Sequence, residues 1–333
     1  MNVLWIKDDI TGHQNKVRGV LRTLSAKRNL NIIEHNLKWR WSPVRQLLQY
    51  LGPPSFSIPL NFFLKRPPEL GGIDLVISSG GATQWPNAAL SHKIACPNIF
   101  LGSLRRMKSE HFTLIATDDA PLNQSRFHRY DLIPSMITPD GAKKAAESAG
   151  IARQQAWGLL IGGDGEGLRW TPEDLLSLVN RFIQQAKSAG HGIRIATSRR
   201  TPIAVERKVK RLAEASGILL GDSCIHERGN HSTSLIATMG ACCRLCVTAD
   251  SMSMTHEAIS SGRPVISISP RQTASPRLVS NLATLEKKGY IVVQTAEDLS
   301  VKDAIPACGW SLVSGDPSEP IADAILTALE RDS

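Results

Sequence analysis

The sequence predicts a two-domain α/β protein, each domain a sheet of parallel strands flanked by helices. Three observations carry this. Short apolar runs alternate with helix-period segments along most of the chain, the pattern of strand–helix–strand units. The alternation lapses over residues 120–155, which hold few strand signals and many polar residues, and restarts sharply at Trp157-Gly158-Leu159-Leu160-Ile161. At 333 residues the chain is long for one core and comfortable for two.

In order, strands are expected at 2–6, 30–35, 73–78, 98–101 and 113–116, with helices at 14–25 and 88–94. A crossing between domains over 120–155 leads to a helix at 140–149. The second half then reads as strands at 157–161, 193–197, near 224–227, 245–248, 265–269 and 291–293. Helices fall between them at 172–189, 202–215, 252–261 and 275–288, and an amphipathic helix closes the chain at 320–331. The expected domains are 1–140 on the acceptor side and 141–318 on the donor side. The helix of 319–333 is expected to pack back on the first. Two Rossmann-like domains facing each other across a cleft is the economical architecture.

Composition narrows the class. A hydrophobic content of 42% with 21% charge is that of a globular protein. No run of about eighteen apolar residues is present, so no membrane span is expected. The first strand opens at Val3 with no charged and apolar leader before it, so no signal peptide is expected and the location reads as cytoplasmic. Six cysteines make no disulfide framework in a chain this size. The cluster Cys242-Cys243-Arg244-Leu245-Cys246 lies in or against an apolar strand and lacks a CxxC partner or a histidine pair, so it reads as structural thiols.

The net charge of +9 is uneven: residues 1–140 hold 17 Lys+Arg against 10 Asp+Glu. This suggests an anionic partner for that half, with ordinary solubility as the other reading; nucleic acid ranks last because it explains the charge but none of the motifs below. Residues 39–68 mix Trp39, Trp41, Phe62 and Phe63 with Arg40, Lys65 and Arg66, punctuated by Pro53, Pro54, Pro67 and Pro68. Two readings stay open here: docking on an anionic membrane interface, or a packed helical hairpin.

Chemistry concentrates at three strand ends, where open α/β sheets bind ligands. Gly162-Gly163-Asp164-Gly165-Glu166-Gly167 follows the strand 157–161; glycines let backbone N–H groups approach a phosphate or sugar. No Gly-Lys-Ser/Thr follows, so this is not a P-loop. Thr171-Pro172 reads as the cap and first turn of the next helix, with Asp174 reaching back. Thr197-Ser198-Arg199-Arg200-Thr201-Pro202 places two arginines and hydroxyls at a helix start, an anion site. Thr248-Ala249-Asp250-Ser251-Met252-Ser253-Met254 runs into a third helix start. There Ser251, Ser253 and the free N–H groups suit a diphosphate, Met252 and Met254 read as packing residues, and Glu257 suits the vicinal hydroxyls of a ribose.

These strings, with Glu257-Ala258, Gly262-Arg263-Pro264-Val265 and the Gly12-His13-Gln14-Asn15 helix start, resemble the mitochondrial-fission "elongated mitochondria" family of plants and its bacterial relatives. The bacterial relatives are regarded as glycosyltransferases of GT-B fold. The resemblance implies that fold and activity here, with Glu257 on the ribose of a nucleotide sugar. One departure stands out: where the family carries a His-Asp pair, this chain has Thr117-Asp118-Asp119.

The expected reaction is metal-independent transfer of a sugar from a nucleotide sugar, of UDP or CMP type, to an anionic glycolipid or lipopolysaccharide-type acceptor, with no permanently bound cofactor. The donor set is Gly162, Gly163, Ser198, Arg199, Arg200, Asp250, Ser251, Ser253, Met254 and Glu257. The base is expected from Asp9 or His13, with Asp8 behind them, and next from Asp118. Ser78-Ser79-Gly80-Gly81 is expected to line the acceptor side. Two alternatives remain: an adaptor with a degenerate donor site, and a nucleotide-sugar epimerase or hydrolase.

Overall fold

A computed structural model describes residues 1–41, 48, 62–119, 121, 124–151, 156–165, 167–221, 234–270, 275–301 and 310–331. The chain divides into two compact units, Met1–Met136 with Pro317–Ser333, and Ile137–Asp316.

The first unit holds β1 (Asn2–Lys7), α1 (Thr11–Lys27), β2 (Asn31–Asn36), β3 (Leu75–Ser79), α2 (Gln84–Ile94), β4 (Asn98–Leu101), β5 (Leu114–Thr117) and β6 (Phe127–Arg129). Its sheet runs β2-β1-β3-β4-β5-β6 and is parallel throughout, with Val3 opposite Leu75 and Trp5 opposite Ile77. Strands covered on both faces need apolar residues at every position, and β3 and β4 are buried along their whole length. On α1, Val17, Val20, Leu21 and Leu24 recur at helical spacing and bury one stripe against Val3, Trp5 and Ile77. The C-terminal helix, named α9 below, closes the same core with Ile321, Ala322, Ile325 and Leu329. Lys27 at the end of α1 reaches Asp323 and, at 3.6 Å, Glu319 of that helix.

In the second unit the elements are α3 (Pro139–Ser148), β7 (Ala156–Ile161), α4 (Pro172–Ser188), β8 (Gly192–Thr197), α5 (Ile203–Ala215), α6 (Leu235–Ala241), β9 (Arg244–Thr248), α7 (Met252–Ser260), β10 (Val265–Ser269), α8 (Pro276–Lys287) and β11 (Ile291–Thr295); α9 is Glu319–Arg331. The sheet runs β11-β10-β9-β7-β8, again all parallel. Thr171 caps α4 in a full capping box with Asp174, and Pro172 supplies the first turn.

Two elements escaped the sequence reading. Strand β6 is three residues on a sheet edge, too short to alternate, and forms because Phe127 pairs with Ile115. Helix α6 has seven residues and draws its stability from packing: Ala237 and Ala241 share a small core with Ala146 and Ile151. The strand expected near 224–227 lies outside the described residues. In the 39–68 segment, Trp39 bridges Leu64, its indole donates to Ala82 O at 3.2 Å, and Phe63 and Leu64 are core residues. Trp41 and Phe62 instead sit edge-to-face at 5.1 Å with both rings exposed. Among the described residues no helix is long and apolar enough to cross a membrane.

Each sheet has one switch point, where successive connections leave in opposite directions. In the first unit it lies between β1 and β3, and in the second between β7 and β9. Ligands of open α/β sheets bind outside the carboxyl ends of the strands at such points.

Candidate functional site

At the β7/β9 switch point three loops are tied into one cradle. Gly162 N–H donates to Thr248 Oγ1 at 2.8 Å, and Gly163 N–H to Asp250 Oδ2 at 2.9 Å. The Gly162 carbonyl accepts from Ser198 Oγ at 2.9 Å and from the Thr201 hydroxyl, which also reaches Ile161 O. Arg200 clamps the set: Nη2 pairs with Asp250 Oδ2 at 2.9 Å, and Nη1 donates to Asp164 O at 2.8 Å and, more weakly, to Asp250 O at 3.4 Å.

Gly162 is required here by proximity. A Cβ at that position would overlap the Asp250 carboxylate, and one at Gly163 would stand 2.6 Å from the Arg200 carbonyl carbon. The Asp250 side chain is wholly buried. Burial pushes its pKa up from the ordinary carboxylate value, against the hydrogen bonds from Thr248 and Gly163 and the Arg200 charge, which all favour the anion. Asp250 therefore lies beneath the cradle and holds Arg200 and the glycine loop in place.

Helix α7 starts directly after it. Ser251 caps the helix by accepting from Met254 N at 3.4 Å, so Met254 enters the site through its backbone while its side chain is buried. Capping uses Ser251 Oγ as an acceptor and leaves its O–H available. Ser253 is exposed in the first turn, Glu257 is half-buried further along, and His256 is buried. Arg199 is exposed on the turn before Arg200. Positive dipole, the first-turn N–H groups of Met252 and Ser253 and two arginines suit this end to an anion.

The β1/β3 switch point has a different content. Asp8 Oδ1 accepts from Ile10 N–H at 3.2 Å, and Oδ2 meets His13 Nδ1 at 2.7 Å. Gln14 Nε2 donates to Asp8 O at 2.8 Å. The Asp8 side chain is 10% exposed and that of His13 28%. The loop after β3 closes over this pair: Gly80 has φ +97°, and a Cβ there would overlap the His13 ring and stand 2.5 Å from Asp8 Oδ2. Only glycine satisfies both the left-handed backbone and the close approach. In the neutral tautomer that donates Nδ1–H to Asp8, Nε2 is the acceptor nitrogen, and it bonds to no described residue.

The two other base candidates stand apart from this pair. Asp9 is exposed and takes no part in the Asp8–His13 bond. Asp118 follows β5, separated from β1 by β3 and β4, and accepts from Thr117 Oγ1 at 3.3 Å, as Asp119 does. The sequence reading had put Asp8 behind the candidates; the contact shows it oriented on His13. A readable signal was their spacing, since a helix starting at Thr11 turns position 13 back toward the end of β1.

Cys242 and Cys246 are buried, and burial pushes the Cys242 thiol up to about 12. Among the described residues no three His, Cys, Asp or Glu side chains are grouped to hold a metal ion.

Among solved structures, the chain is similar over 99% of both lengths to the E. coli ADP-heptose lipopolysaccharide heptosyltransferase II, at 13% identity and a TM-score of 0.50. Similarity to the Methanocaldococcus jannaschii UDP-GlcNAc 2-epimerase, a complex with UDP-GlcNAc and UDP, covers 98% of this chain and 99% of that one at 11% identity and a TM-score of 0.53. For Acinetobacter baumannii MurG the figures are 99% and 93%, 11% and 0.50. No curated protein matches the sequence significantly. At such identities the likeness shows the fold: two parallel α/β sheets of GT-B type. The sequence itself matches the mitochondrial fission ELM1 family over residues 11–329, nearly its whole length, and the chain belongs to that family.

Proposed function

We propose that the protein is a glycosyltransferase that moves a sugar from a nucleotide sugar, of UDP or CMP type, to an anionic glycolipid or glycan. The observation that carries this is the pairing of chemistries at the two switch points: an anion cradle at one and a His–Asp dyad at the other. Sugar transfer needs both, a stabilised leaving diphosphate and a base for the acceptor hydroxyl.

In this reading the diphosphate sits against the first turn of α7 and Arg199, with Arg200 offering the N–H groups its clamp leaves over. Glu257 accepts from the ribose hydroxyls. His13 Nε2 takes the proton of the acceptor hydroxyl, and Asp8 holds the ring in the productive tautomer and stabilises the imidazolium. That heptosyltransferase II, MurG and an epimerase seen with UDP share the fold supports a nucleotide-sugar donor. The exposed Trp41–Phe62 pair, flanked by the exposed Lys38, Arg40, Lys65 and Arg66, supports peripheral docking on an anionic membrane. An epimerase or hydrolase on the same fold is the second reading, favoured by the likeness to the 2-epimerase; release of free sugar without any acceptor distinguishes it.

Calorimetric titration with UDP, ADP, GDP and CMP tests the proposal. Binding of one of them in the micromolar range is expected, and no binding by any sinks it in favour of an adaptor.

A further inference from the structure

Beside the His13–Asp8 pair lies a cation that the proposed reaction has not yet used. The loop after β4 neighbours the loop after β3 in the sheet order. Its backbone is fixed at several points: Gly102 N–H donates to Ala116 O at 2.8 Å, Ser103 O accepts from Gln84 Nε2 at 3.0 Å, and Met107 is buried in the core. Between these anchors Arg105 projects into solvent. Its Cδ and Nε would lie 3.7 Å, and Cζ 4.0 Å, from a Cβ placed on Gly81. The guanidinium therefore rests on Gly81, while the preceding Gly80 abuts the His13 ring. Imidazole and guanidinium flank one two-residue turn.

Arg105 makes no hydrogen bond or ion pair with any described residue. In the same unit, by contrast, Arg126 donates to Phe112 O and Arg18 to Gln14 Oε1. The acid at this turn, Asp8, is engaged with His13. A planar five-donor cation on an anchored loop is suited to a bidentate bond with a phosphate or carboxylate, and no described acid is bonded to it.

We infer that Arg105 is an acceptor-reading residue: it binds an oxyanion, a phosphate monoester or a carboxylate, on the acceptor and so places a neighbouring hydroxyl at His13 Nε2. This rests on His13 being the base. Arg105 touches the acceptor but not the transferred proton, so its role is specificity and positioning.

The test uses the full chain with ¹⁵N-labelled histidine and backbone amides, titrated separately with inorganic phosphate and acetate. Phosphate, acetate or both should move the His13 ring signals, and the stronger of the two names the oxyanion class. In Arg105→Gln the apparent affinity read at His13 should fall about tenfold or more, while Arg105→Lys retains part of it. Arg199→Gln should leave the His13 response unchanged. Nucleotide titration read at the Ser253 amide reports the donor site independently. A His13 ring that answers neither anion, or answers equally in Arg105→Gln, overturns the assignment even if Ser253 answers the nucleotide. Silence at both positions overturns the donor reading as well.

Discussion

At the β7/β9 switch point the polar side chains are turned on one another, and at the β1/β3 switch point they end in an open ring nitrogen. Asp250 is sealed under Arg200, Gly162 and Gly163, so what faces a ligand is backbone N–H, helix end and guanidinium. Asp8 is nearly as buried but spends its carboxylate on orienting His13. The same topology thus gives one unit a fixed electrostatic surface and the other a group that can take up a proton. In both, a glycine lets the opposite loop come close enough to lock the acid in place, Gly162 against Asp250 and Gly80 against Asp8. What differs is the acid's partner, an always-charged arginine in one case and a titratable histidine in the other.

Substitutions separate the two ends. Loss of the base should show most: His13→Gln is expected to lower turnover by about 10²–10⁴-fold, the range for general-base removal, with nucleotide affinity unchanged. Asp8→Asn leaves the ring but loses its orientation and should fall between that value and wild type, with steady-state kinetics as the check. Arg200→Gln should reverse the pattern, weakening nucleotide binding by about 10–100-fold in calorimetry, since it opens three loops at once. It should also lower stability by on the order of 2 kcal/mol, less than for a fully buried pair because the Arg200 side chain is 40% exposed.

Acid sharpens the contrast with a smaller effect. The raised Asp250 pKa means the native state binds a proton at a pH where the unfolded chain does not. Between the unfolded and the native pKa, stability therefore falls as pH rises and recovers on acidification. Nucleotide affinity should move the opposite way, dropping with pH through the raised value as the Arg200 bond is lost. Asp250→Asn should flatten both trends, readable by thermal melts and calorimetry across the carboxylate range. Smallest of all, Glu257→Gln should cost about tenfold or less in nucleotide affinity, with no loss of affinity for inorganic pyrophosphate.

Much of this was legible in the sequence because it is local. Parallel strands buried on both faces read as apolar runs, and a Thr-Pro-x-Asp start reads as a capped helix. The three donor strings could be placed on strand ends before any coordinates. What the sequence hid depends on tertiary contact. Asp250 and Arg200 each looked like a ligand group; their 2.9 Å bond, across fifty residues, shows that much of each is turned inward. Asp8 and Asp9 are equivalent in composition, and only the turn into α1 decides which meets His13. Arg105 carries no motif at all, since its meaning comes from the sheet order that sets its loop beside Gly81. Strand β6 and helix α6 were missed because neighbours, not periodicity, make them.

In the proposed reaction, donor binding belongs to the β7/β9 switch point and proton removal to the β1/β3 one. Nucleotide affinity measured side by side in Arg200→Gln and His13→Gln tests it most directly. A loss of about 10-fold or more is expected in the first and wild-type affinity in the second. Equal losses in both, or undiminished binding in Arg200→Gln, would contradict it.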